Sequence, residues 1–127
     1  MDAQAERRLG LMLAIGAVYD LVFAVAILLL ATPAAAILGL PLPNDRVYLQ
    51  LNGIFLLILG AIYLAASRDP GRYPAVAPIS AAGRVLGFLL FAWTWRGGRP
   101  STFLALGLAD LAIAVATLSA WRRARLK

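Results

Sequence analysis

Neither cysteine nor histidine occurs anywhere in the chain. Their absence removes disulfides, thiol redox chemistry, thiolate and imidazole metal ligands, and haem ligation by either residue. It also removes Ser-His-Asp and Cys-His nucleophile systems. Acidic residues are scarce: six in all, of which Asp2, Glu6, Asp45 and Asp69 fall near chain ends, loops or the edges of apolar runs. That leaves Asp20 and Asp110 as the carboxylates inside apolar text. No metal, no cofactor and no catalytic residue is expected from this inventory.

Apolar residues are plentiful instead. They make up 62% of the 127 residues, and the mean hydropathy is +0.83. Soluble domains sit nearer half apolar, so this excess calls for lipid. The length is that of one domain, residues 1–127. A net charge of +6 raises the question of nucleic acid. The arginines, however, sit mostly at the edges of apolar runs, where membrane proteins keep them. No stacking platform or basic helix face is left for a nucleic acid, so the expected partner is the lipid bilayer.

Four runs are long enough to cross the hydrocarbon core, which takes about 20 helical residues. They cover about 9–31, 47–66, 75–95 and 102–121. Arg7-Arg8 ahead of the first run and Ala34-Ala35-Ala36 after it resemble a signal peptide with its cleavage site. The run exceeds a usual h-region of roughly 7–15 residues and holds Asp20 in its middle, so a retained span is expected. Thr32-Pro33 is a capping hydroxyl followed by proline at a first helical position. It predicts a short interfacial helix over 33–40, ended by Pro41-Leu42-Pro43. In the second span Tyr48, Asn52, Phe55, Leu59 and Tyr63 share one helical face, which is expected to point inward. In the third, Ser80, Arg84, Gly87 and Phe91 line one side, and Gly83 with Gly87 forms a small-xxx-small pattern that permits close helix approach. In the fourth, Gly107, Asp110, Ala114 and Thr117 share a face.

Basic residues divide unevenly between the two ends of such a bundle. Arg7, Arg8, Arg68, Arg72, Arg122, Arg123, Arg125 and Lys127 fall on one side, and Arg46, Arg96 and Arg99 on the other. The positive-inside rule then places both termini in the cytoplasm. The Ala- and Arg-rich composition points to a bacterial inner membrane.

Arg84 is the residue that the rest must accommodate. Arginine does not shed its charge, so inside a span it needs a partner or water. At ~1.5 Å rise per residue, Asp20 lies about 16 Å in from the terminal side, Arg84 about 12–14 Å and Asp110 about 15–16 Å. The three meet in one layer, with Asn52 somewhat beyond it at roughly 21 Å. Small residues flank both carboxylates: Gly16, Ala17 and Ala24 around Asp20, Gly107 and Ala114 around Asp110. Such flanks mark packing faces. One reading is a structural lock that fixes three helices in register. The other starts from charge: two carboxylates against one guanidinium leave a negative excess that favours uptake of a proton, a cation or an amine. In that reading Tyr19 shares a proton with Asp20, and Asp110 is the main partner of Arg84. Asn52 and Tyr63 complete the set of candidate ligand-site residues.

The stretches Leu38-Gly39-Leu40-Pro41-Leu42-Pro43, Leu51-Asn52-Gly53-Ile54 and Leu59-Gly60-Ala61-Ile62-Tyr63-Leu64-Ala65-Ala66-Ser67-Arg68-Asp69-Pro70 resemble small bacterial four-span membrane proteins, the DoxX-like proteins among them. The resemblance implies a four-span layout and carries over no catalytic residue. Small multidrug exporters are similar in length and hold an acidic residue in the first span, comparable to Asp20, but the residues around it differ here. The expected fold is all-α: an integral membrane bundle of four transmembrane helices with a short interfacial helix after the first. The expected role is non-enzymatic, either binding a hydrophobic small molecule or serving as an accessory subunit among other membrane subunits. The alternative is a small proton-coupled transporter using an intramembrane aspartate.

Overall fold

The computed structural model describes residues 2–125. Five helices follow one another: α1 (Ala3–Leu29), α2 (Ala31–Leu38), α3 (Val47–Arg68), α4 (Val76–Arg96) and α5 (Ser101–Arg125). No strand occurs among the described residues. Helix α1 starts well before the apolar run because Asp2 caps it, its side chain accepting from the Gln4 N–H at 3.4 Å. Helix α2 starts two residues before the expected Pro33. Its N-cap is Leu30, not Thr32, and the Thr32 hydroxyl accepts instead from Arg46 Nη1 at 3.3 Å. Gly39 ends α2 with φ at 66°, a left-handed value that glycine adopts without penalty. The Thr102 hydroxyl donates to the Leu38 carbonyl and ties the end of α2 to the start of α5.

The long helices assemble as two pairs. α1 packs along α3, α4 packs along α5, and the pairs meet chiefly where α1 lies on α5. Glycine sets the first pairing. A Cβ at Gly53 would stand 2.9 Å from Ile27 and Leu28, and one at Gly60 would stand 2.7 Å from Leu21. These two glycines, with buried Tyr63 and Ala66, set the inward face of α3, which keeps Tyr63 of the expected stripe but is centred about 60° away from it. Tyr48 and Phe55, expected inside, are 82% and 54% exposed. The sequence stripe followed the large polar and aromatic residues, whereas backbone approach follows the small ones. On α4, Ser80 and Arg84 are buried as expected, together with Ala77 and Ala81, but a Cβ at Gly83 would meet nothing within 4 Å. Only the Gly87 half of that pattern is used for packing.

The apolar core lies at the end that holds the termini. Ala5, Leu9, Leu13, Ala66, Ala77 and Ala124 form it, with Val76, Ala120 and Trp121 packed against it. Elsewhere large apolar side chains face outward, among them Leu11, Ile79, Leu86, Leu90 and Trp93 at 61–74% exposure. Water does not tolerate apolar faces of this extent, whereas a bilayer requires them. α1, α3, α4 and α5 have peak mean hydropathies of 2.4, 2.0, 1.6 and 2.0 over lengths sufficient to cross. The chain is a small multi-pass integral membrane protein.

Candidate functional site

Helical spacing brings the site together. Gly16 and Asp20 are four residues apart and share one face of α1. Ser80, Arg84 and Gly87 share a face of α4, and Gly107, Asp110, Ala114 and Thr117 a face of α5. Where these faces converge, Arg84 is 6% exposed and Asp20 is 5% exposed. The guanidinium crosses from the α4–α5 pair to α1. Its Nη1 donates to Asp20 Oδ1 at 3.2 Å and to Asp110 Oδ1 at 3.1 Å. Its Nη2 donates to Asp20 Oδ2 at 3.1 Å and to the Gly16 carbonyl at 3.0 Å. All four terminal N–H groups are thus satisfied. Nε is buried without a hydrogen-bond partner among the described residues.

Glycine makes the approach possible. A Cβ at Gly16 would lie 2.8 Å from Arg84 Nη2, and one at Gly87 would lie 3.2 Å from Asp110 Oδ2. The arginine thus sits flush on the backbone of α1, and Asp110 rests on that of α4. Two tyrosines close the remaining sides. The Tyr19 ring centroid is 5.6 Å from Arg84 Cζ and that of Tyr63 is 5.7 Å. Such contacts contribute roughly 0.5–2 kcal/mol each where water is excluded. Tyr19 also packs on Phe23, centroid to centroid at 4.9 Å.

The expected meeting of Asp20, Arg84 and Asp110 is present, but the roles of the two carboxylates are exchanged. Asp20 is the forked partner of Arg84, and Asp110 takes a single bond. The cause is Gly16, which lets the guanidinium lie parallel to the carboxylate one turn along α1. Tyr19 contacts the cluster through its ring face rather than by a hydroxyl bond to Asp20.

A cavity of about 240 Å³ adjoins the cluster. Asp20, Asp110 and Tyr19 line one part of it, Phe23 and Phe91 another, and the exposed Asn52 stands at its rim. Phe23 follows Asp20 in α1, Phe91 follows Arg84 in α4, and Leu106 precedes Asp110 in α5. By helix direction all three lie away from the termini, so the carboxylates form the floor. α3 makes no extended contact with α4 or α5, although Asn52 and Leu56 of α3 line the same space as Phe91 and Leu106. Asn52 therefore belongs to the cavity and not to the ion cluster. Phe23, Leu56 and Leu106 were not singled out by sequence, since nothing distinguishes them within Leu- and Ala-rich runs. No metal-holding group of His, Cys, Asp or Glu occurs among the described residues.

Compared with protein-family models, with curated proteins and with solved structures, the chain matches none.

Proposed function

We propose that this membrane protein binds a hydrophobic small molecule in the cavity above the Arg84 layer and carries out no chemistry on it. The observation that carries this reading is the cavity itself. Its walls are Phe23, Phe91 and other apolar side chains, and its polar atoms are gathered at the floor and at Asn52. An apolar space with a few convergent polar groups is the usual form of a small-molecule site. Both carboxylates are held by a guanidinium, which suits anchoring of a ligand head better than attack on a reacting atom. The packed layer of Leu9, Leu13, Ala66, Ala77 and Ala124 lies between the cluster and the termini. That layer favours a one-sided pocket over a transport path.

A second reading, proton or cation exchange, draws on the charge count. Asp110 Oδ2 accepts no hydrogen bond among the described residues, and the cluster carries one carboxylate more than Arg84 neutralises. We place the protein in a bacterial inner membrane with both termini cytoplasmic, a reading supported by the split of basic residues.

Native mass spectrometry of detergent-purified protein tests the pocket. The wild type should carry a small apolar adduct, and Leu106→Trp, which fills the cavity, should lose it. Equal adducts in both proteins would overturn the site, and proton flux in proteoliposomes that is abolished by Asp110→Asn would favour the second reading.

A further inference from the structure

A second and larger groove lies at the terminal end of the bundle, on the outside of the α1–α5 contact. It encloses about 630 Å³ between the first half of α1 and the last turns of α5. Arg8 and Arg123 border its upper part, and Leu11, Met12, Ser119 and Ala116 lie deeper. Both arginines are exposed, and neither takes part in an ion pair among the described residues. Asp2 also borders the groove, and its carboxylate is engaged in capping α1 through the Gln4 N–H.

The polarity of this groove follows the polarity of a membrane leaflet. Arg8 and Arg123 stand where the apolar runs of α1 and α5 give out. Ala116 lies seven residues from Arg123, about 10 Å deeper along the helix, and Leu11 lies about 4–5 Å deeper than Arg8. Cationic groups at headgroup depth above an apolar trough are complementary to an anionic amphiphile. Two arginines border one opening, and the Ser119 hydroxyl lines the groove about 6 Å below Arg123. Basic pockets between transmembrane helices are suited to anionic headgroups for these reasons.

We propose that this groove binds an anionic phospholipid, with its phosphate between Arg8 and Arg123 and an acyl chain along Leu11, Met12 and Ala116. The site is independent of the smaller cavity, which lies beyond the Arg84 layer at the opposite half of the bundle. The phosphate is held by charge-assisted hydrogen bonds from two guanidinium groups, whose planar forks each present paired N–H donors to its oxygens. The acyl chain covers a stripe that would otherwise meet fluid lipid, so the bound lipid acts as a filler between α1 and α5.

Wild-type protein in a neutral detergent is titrated with phosphatidylglycerol or with phosphatidylcholine of the same chain length, and bound lipid is counted by native mass spectrometry. Phosphatidylglycerol should bind tighter by about tenfold or more, at ~1 kcal/mol per arginine. Arg8→Gln with Arg123→Gln should abolish that preference. Arg96→Gln with Arg99→Gln removes the same charge at the other end and should leave it intact. Ala116→Trp fills the trough and should weaken binding while both arginines remain. Equal binding of the two lipids, equal loss from both arginine pairs, full binding by Ala116→Trp, or displacement of the lipid by inorganic phosphate would each overturn the proposal.

Discussion

Arg84 and Asp20 meet through two parallel bonds, Nη1 to Oδ1 at 3.2 Å and Nη2 to Oδ2 at 3.1 Å. Asp110 receives one bond, from the same Nη1. The two carboxylates differ although their sequence surroundings echo each other, Asp-Leu-x-x-Ala-Val-Ala-x-Leu in both α1 and α5. What separates them is Gly16, whose carbonyl accepts a further bond from the same guanidinium.

Loss of Arg84 should cost more than loss of either acid. Arg84→Met leaves buried Asp20 and half-buried Asp110 without a countercharge, a loss of about 3–5 kcal/mol. Asp110→Asn removes one charge-assisted bond and should cost roughly 1.5–3 kcal/mol or less. Asp20→Asn breaks the fork and should fall between them. Thermal unfolding in detergent gives the order, and an Arg84→Met protein as stable as Asp110→Asn would contradict the lock.

Gly16 and Gly83 should respond oppositely to alanine. A Cβ at Gly16 collides with Arg84 Nη2, while one at Gly83 meets open space. Gly16→Ala should therefore lower the melting temperature. Gly83→Ala should leave it unchanged or raise stability by about 0.5–1 kcal/mol, the helix-propensity difference.

The part of this arrangement that was legible in the sequence is the part that charge controls. An arginine inside an apolar run demands partners, and depth along straight helices left Asp20 and Asp110 as candidates. The four spans were legible for the same reason, since length and apolarity are one-dimensional. Helix rotation was legible on α4 and α5, where Ser80 and Arg84, and Gly107, Ala114 and Thr117, are buried as expected, but not on α3. The inward face of α3 is set by Gly53 and Gly60 against α1, and a reading led by Tyr48, Asn52 and Phe55 misses it by about 60°. The forked role of Asp20 was hidden too, because it depends on a backbone carbonyl that every residue possesses. Among the residues behind the charge split, Lys127 lies outside the described residues.

The tyrosines should act through their rings. Tyr19→Phe and Tyr63→Phe keep the faces that flank Arg84 and should be close to neutral. Tyr19→Leu and Tyr63→Leu remove them and should each cost about 1 kcal/mol. Unfolding curves of the four variants distinguish ring from hydroxyl, and a Tyr19→Phe variant as damaged as Tyr19→Leu would restore a role for the hydroxyl.

Membrane orientation is open to direct labelling because the chain has no cysteine of its own. Single cysteines at Asn44 and Arg99 should react with an impermeant maleimide added to whole cells. One at Gly71 should react only after the membrane is opened. The reverse pattern would invert the topology.

The pairing of α1 with α3, and of α4 with α5, also bears on how the chain is made. A ribosome delivers α1, α2 and α3 before Arg84 has been translated. During that interval Asp20 has no countercharge among the helices already released. The later hairpin differs, because α4 and α5 carry Arg84 and Asp110 together and can enter lipid as a self-neutralised unit. The first pair therefore waits at the insertion machinery with an exposed liability, and arrival of the second relieves it. Since stable insertion disfavours a lone intramembrane charge, a chain stopped after α3 should be less stable in the membrane than the finished chain.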